Sequence, residues 1–191
     1  MAPWSLLPLL AMLLAGAALA QPAPAPLLGA PLVISLADET GRLISLADRR
    51  YRGKVVLVTI SGSWCGTCHE EAGFLVTWAK RRAREGVEVI SLHFEYPDDP
   101  ARARQLIGHF ARRHGITWPL LLAGRPSRRD IAAALGGRGD IHSLPSLLLI
   151  GRNGRVAHVQ GGLADERTGD IPASAIAAFD AVVDRLLAEG A

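Results

Sequence analysis

Short apolar segments at Leu32 to Leu36 and Leu43 to Leu46 flank Asp38-Glu39-Thr40-Gly41. A polar turn between two such runs predicts a β-hairpin. After Gly53-Lys54 comes Val55-Val56-Leu57-Val58-Thr59-Ile60, a β-branched run without alternation, as in a strand buried on both faces. From Gly66 the period changes. Ala72, Leu75, Val76 and Ala79 recur at helical spacing, and Lys80, Arg81, Arg82 and Arg84 follow where cations suit a helix C-terminus. Val87 to Phe94 predicts a second central strand, and Pro100 opens a helix whose Ala103, Leu106, Ile107 and Phe110 share one face. A short strand over Trp118 to Leu122 and a weak helix over Arg128 to Leu135 come next. Ser146 to Ile150 and Val156 to Gln160 predict an antiparallel pair joined by the tight turn Gly151 to Gly154. The last helix runs from about Pro172 to Leu187, with Ile176, Phe179, Val183, Leu186 and Leu187 inward. Alternating strands and helices that end in a hairpin and a helix imply an α/β sandwich, with a central mixed sheet flanked by helices.

Ahead of this pattern, residues 1–20 carry no charged side chain and contain an apolar stretch, Leu6 to Leu19, that ends in Ala18-Leu19-Ala20. An apolar run before a small-x-small site reads as a secretory signal peptide, which places the mature protein in the periplasm. The leader lacks Lys and Arg, so an uncleaved membrane anchor is the alternative, although a run this short and Pro-broken barely spans a bilayer. Residues 21–27 are rich in Pro and Ala and suit an extended spacer. Residues 28–191 are then the folded domain. A length of 191 residues, 49% hydrophobic and 20% charged, fits one globular unit. Because the leader is uncharged, the mature chain keeps the whole net charge of +3. No long Lys/Arg block accompanies it, so it is not a nucleic-acid footprint, and the Arg-rich stretch Arg102 to Arg113 reads as a solvated helix face.

The chemistry is concentrated in Trp64-Cys65-Gly66-Thr67-Cys68, which holds both cysteines of the chain between a predicted strand and a predicted helix. A disulfide that closes two intervening residues removes little chain entropy, so reactivity explains the pair better than stapling. A thiol reacts as its thiolate, and the unpaired N–H groups at a helix N-terminus stabilise that anion. Cys65 is therefore the nucleophile. Cys68, one turn along, is the resolving thiol that attacks a mixed disulfide formed at Cys65.

Three other chemistries use two cysteines. Structural zinc asks for four ligands, and no second Cys pair exists to complete them. Cys65-Gly66-Thr67-Cys68-His69 also fits the attachment motif of c-type haem, with His69 as an axial ligand. Against it, Met1 and Met12 are the only methionines and both lie in the leader, so His/Met ligation is not available. Copper(I) suits soft thiolates, and His142, three residues before Pro145, is the candidate third ligand of a metallochaperone.

The chain resembles the exported, thioredoxin-like TlpA/ResA family of thiol-disulfide proteins. The resemblance covers about Leu28 to Ala188 and rests on several segments in order: the leading hairpin, Tyr51 to Val58, Ser63 to Cys68 with Glu71, Leu144-Pro145-Ser146, and Leu147 to Val156. It implies a thioredoxin-like fold with an N-terminal β-hairpin, and disulfide exchange without a bound cofactor or metal. The partners it implies are protein thiols and disulfides and a membrane electron donor, with cytochrome c maturation as a setting. It also implies a cis peptide at Pro145, and binding of an extended substrate by Trp64, Leu144 and Pro145. The family often has Pro where Thr67 stands. Thioredoxins place a buried Asp where this chain has Thr59, which cannot shuttle a proton. Some reducing members use a Glu from the central insertion instead, and Glu95 is the nearest candidate for proton transfer, against the plainer reading of a solvated loop carboxylate. Glu70 and Glu71 read as first-turn helix charges. Copper proteins of this fold usually space their cysteines by three residues, whereas here the spacing is two.

Overall fold

The computed structural model describes residues 26–139, 141–165 and 167–190. The expected leader over residues 1–20 and most of the spacer over 21–27 lie outside them. Two short strands, β1 (Ser35–Ala37) and β2 (Leu43–Ser45), pair antiparallel as the leading hairpin. The carboxylate of Asp38 holds the turn by accepting from the backbone N–H groups of Thr40 and Arg42 and from the Thr40 hydroxyl. The paired strands are shorter than the apolar runs. Leu32 and Ile34 bury their side chains in the core but lie outside the paired strands; Pro31 bridges to Arg155 just before them, and the Ile34 carbonyl accepts from the Leu46 N–H.

The main sheet follows the sequence pattern. Its strands are β3 (Val55–Ser61), β4 (Val87–Phe94), β5 (Leu120–Gly124), β6 (Ser146–Ile150) and β7 (Val156–Gly161). Their spatial order is β5-β4-β3-β6-β7, with β3, β4 and β5 parallel and β6 and β7 antiparallel to their neighbours. Strand β3 is central and every one of its residues is buried. Strand β5 begins two residues later than its apolar run, because Pro119 has no N–H to give the ladder.

Four helices cover the sheet: α1 (Gly66–Arg82), α2 (Pro100–His114), α3 (Arg128–Ala134) and α4 (Ala173–Ala188). Alternation along β3 divides the core. Val56, Val58 and Ile60 face one side, with the leading segment and Ile131 of α3. Val55 and Leu57 face the other, with Ala72, Leu75 and Trp78 of α1, Ile107 and Phe110 of α2, and Phe179, Val183 and Leu186 of α4. Trp78 is the large inward side chain that the sequence pattern omitted. Its ring lies 5.2 Å from that of Phe179 and its Nε1–H donates to Asp180, so α4 is clamped along α1.

Phe179→Ala removes that clamp and leaves a void between two helices. It is expected to lower the free energy of unfolding by about 3–5 kcal/mol, read as a lower urea midpoint. A loss below about 1 kcal/mol would mean that α4 is not held through this contact.

Candidate active site

Strand β3 ends at Ser61, and Gly62 and Ser63 lead the chain to the dithiol at the start of α1. The close quarters require glycine at 62, where a Cβ would stand 2.6 Å from Trp64 Nε1. That indole N–H donates instead to the Phe94 carbonyl at the end of β4, and the Trp64 ring, still 43% exposed, lies 4.9 Å from the exposed ring of Tyr96.

Cys65 is the N-cap of α1 and its Sγ accepts from the Cys68 N–H at 3.3 Å. Cys65 and Cys68 are joined as a disulfide. Cys65 is 7% exposed and Cys68 only 2%, so an incoming thiol meets Cys65. The Leu144-Pro145 peptide is cis, and the Leu144 carbonyl oxygen lies 3.7 Å from Cys65 Sγ. Trp64, Cys65, Cys68, Leu144 and Pro145, all singled out from the sequence, thus converge on one rim.

Glu71 differs from its sequence reading, and Glu95 from the plainer of its two. Glu71 is not a solvated first-turn charge: it is 2% exposed, one turn after Cys68 on the inner face of α1. Helical spacing from Cys68 and Ala72 could have identified it, because position 71 falls on the same buried stripe. Its Oε2 accepts from the Leu163 N–H at 3.2 Å, and Gly162 closes against it, since a Cβ there would meet Glu71 Oε2 at 2.6 Å and Pro145 Cγ at 2.5 Å. Burial pushes the Glu71 carboxyl up to about 7, against the opposing pull of the Leu163 N–H. Glu70 is exposed, as a first-turn charge should be.

Glu95 is likewise not a solvated loop carboxylate. It is 1% exposed and accepts from the Ser63 N–H at 2.8 Å and the Ser63 hydroxyl at 2.7 Å, with His93 Nδ1 at 3.4 Å. It therefore braces the segment just before Cys65. Thr59, where thioredoxins carry Asp, is buried and donates to the Ser91 hydroxyl oxygen at 2.8 Å.

His69 has both ring nitrogens engaged. Nε2 lies 3.0 Å from the Ser63 carbonyl, which can only accept, so Nε2 carries the proton. Nδ1 then meets His114 Nε2 at 2.7 Å. Burial, and after it the neighbouring His69, holds His114 below the usual imidazole value. His142 is exposed in the loop before Leu144. Among the described residues no cluster of three or more His, Cys, Asp or Glu is arranged to hold a metal ion.

A central mixed sheet and a Cys-x-x-Cys disulfide at the N-terminus of the helix after its middle strand define a thioredoxin-fold protein with a redox pair. The Redoxin family pattern matches residues 22–173, and the chain belongs to that family. Among curated proteins it is similar to the thiol-disulfide oxidoreductase ResA of Geobacillus thermodenitrificans, 30% identical over 66% of this chain and 64% of that protein. The ResA of Bacillus subtilis is 26% identical over 69% of this chain and 65% of that protein. The matched region thus spans a little under two thirds of these relatives. Among solved structures, a thiol:disulfide interchange protein of the thioredoxin family from Chlorobium tepidum shares the fold with TM-score 0.59 and 21% identity, covering 88% of this chain and 99% of that one. A secreted thiol-disulfide isomerase from Corynebacterium glutamicum shares it with TM-score 0.60 and 20% identity, over 83% and 86% of the two chains.

A carboxyl whose pKa rises from 4.5 to about 7 on folding keeps its proton in the folded protein over a range where the unfolded chain has lost it. Stability is then highest below about 4.5 and falls as pH rises toward 7. Glu71→Gln is expected to remove that slope, on the order of 3 kcal/mol, in urea unfolding at a series of pH values. An unchanged slope would show that Glu71 does not titrate in this range.

Proposed function

We propose that this protein is a thiol-disulfide oxidoreductase that reduces disulfides of partner proteins outside the cytoplasm. The observation that carries the reading is the pairing of the more accessible sulfur, Cys65, with a more deeply buried one, Cys68, that shares its helix face with a buried carboxylate of raised pKa, Glu71. In the dithiol form the Cys65 thiolate, stabilised at the helix N-terminus, attacks one sulfur of a client disulfide, and the client's other sulfur leaves as a thiolate. Cys68 then passes its proton to the Glu71 carboxylate. The Cys68 thiolate attacks Cys65 Sγ, the Cys65-Cys68 bond forms, and the second client thiolate departs. Two electrons pass from the protein to the client, and no bound cofactor takes part.

A pKa near neutrality suits Glu71 to this role, because a proton acceptor is most useful when its pKa lies close to the working pH. Trp64 and the Leu144 backbone beside Pro145 are the surfaces on which an extended client segment lies. Glu95 holds the Ser63 backbone and so positions Cys65. Export, recharging by a membrane electron donor and a part in cytochrome c maturation belong to the same reading, supported by the expected leader and by the similarity to ResA proteins. No helix of the described residues is long and apolar enough to cross a membrane. Copper delivery and haem attachment are weaker readings. Both need the sulfurs for another partner, and haem ligation would break one of the two hydrogen bonds of His69.

Cys65→Ala is expected to abolish disulfide exchange, whereas Cys68→Ala is expected to accumulate mixed disulfides with clients, visible on non-reducing gels. Unchanged turnover by Cys68→Ala would contradict the two-cysteine mechanism.

A further inference from the structure

Behind Cys68 lies a cavity of about 20 Å³, walled by Thr59, Ser61, Cys68, Glu71, Ser91 and His93 together with apolar neighbours. One enclosed water needs about 10–15 Å³, so the space admits a single molecule. Its polar walls come from register. On the face of β3 and β4 that carries Val55, Leu57, Val87 and Val89, the next positions are Thr59 and Ser61 opposite Ser91 and His93.

Three of these walls hold uncommitted hydrogen-bonding capacity. Glu71 uses Oε2 on Leu163, and its buried Oε1 has no partner among the described residues. His93 is fully buried, with Nδ1 against Glu95, and its Nε2 has none either. The Ser91 hydroxyl oxygen accepts from Thr59 and from Trp118 Nε1, each at 2.8 Å, which leaves its own hydrogen to give elsewhere. A water that accepts from Ser91 and donates to Glu71 and His93 satisfies all three, the usual number for a buried water.

We propose that this cavity is an internal water site that links Glu71 to His93, so that His93 draws off the proton Glu71 takes from Cys68. This rests on the exchange reading above and extends it. The Cys68 proton passes to the Glu71 carboxylate, the water relays a proton from Glu71 to His93 Nε2, and the Glu71 carboxylate is restored. The resulting imidazolium is held by the Glu95 carboxylate, and Glu95 contacts Ser63, which is half-buried at the dithiol rim. A path from the buried sulfur to the rim is thus built from helix α1, the end of β4 and the turn before the dithiol. The titratable groups around His93 are Glu95 just past the end of its own strand, Cys68 and Glu71 on α1, and His69 and His114 beyond the Phe110 ring. Strands β3 and β5 set the uncharged Ser61 and Leu122 opposite it. His93 acts through the water and is a positioning residue.

The test is stopped-flow reaction of the reduced full chain with a chromogenic aromatic disulfide, which releases one thiolate when Cys65 attacks and a second when Cys68 resolves. In His93→Phe and His93→Gln the first phase, attack by Cys65, serves as the internal reference. The second is expected to slow about tenfold near neutral pH and to move its pH midpoint upward, because neither side chain takes up a proton. Glutamine keeps a polar group for the water, so its variant tests proton uptake even if His93→Phe fails to fold. A second phase in His93→Gln with wild-type rate and pH midpoint overturns the proposal. A wild-type protein that releases thiolate in neither phase overturns the exchange reading itself, and this inference with it.

Discussion

A carboxylate buried with a single hydrogen bond is costly to ionise, and the structure around Glu71 depends on that cost. The group sits where α1, the cis-Pro145 loop and the turn after β7 meet, and glycine at 162 is what allows the three to close. The same closure sets Leu144 beside Cys65, while the turn of α1 sets Glu71 beside Cys68. Buried carboxylate, reactive sulfur and the Leu144-Pro145 edge are therefore brought together at one place in the fold. The rest of the sheet and the α1-α4 clamp frame it.

Most of the fold was legible because the apolar patterns are strong. An unbroken β-branched run predicted the central strand, the change of period at Gly66 predicted α1, and both lie where expected. The dithiol was legible because it is a short local motif, whereas the Leu144-Pro145 rim was expected only through the family resemblance. The inner half of the site was harder to read. Glu71 looks like a helix-start carboxylate until Cys68 and Ala72 are known to be buried on either side of it. Glu95 looks like a loop residue because it follows β4, and only the return of Ser63 across the strand end buries it. Trp78 was missed although it is three residues from Leu75. A tryptophan near a run of Lys and Arg gives no hint that it stacks on a helix about a hundred positions away.

Parity along the two central strands carries information that hydropathy alone obscures. Thr59, Ser61, Ser91 and His93 occupy alternate positions toward the C-terminal ends of β3 and β4, on the face that is apolar lower down. Four polar side chains at one end of an otherwise apolar face are expensive to bury without partners, and ligands of open α/β sheets bind at those strand ends. Here the site outside the strand ends is the dithiol, and the polar patch is its inner lining. Thr59 shows how the chain differs from thioredoxins. The buried carboxylate beside the dithiol comes from the helix, and the strand positions supply hydroxyls and an imidazole.

The most direct measurement is the equilibrium reduction potential of the purified protein, equilibrated in graded thiol/disulfide buffers and read by alkylation of Cys65 and Cys68 together with Trp64 fluorescence. A protein that reduces client disulfides is expected to show one reversible two-electron transition near the thioredoxin value of about −270 mV. A transition near about −120 mV, the range of strong oxidants, would reverse the assigned direction. Sulfurs that resist alkylation at every poise would contradict disulfide exchange altogether.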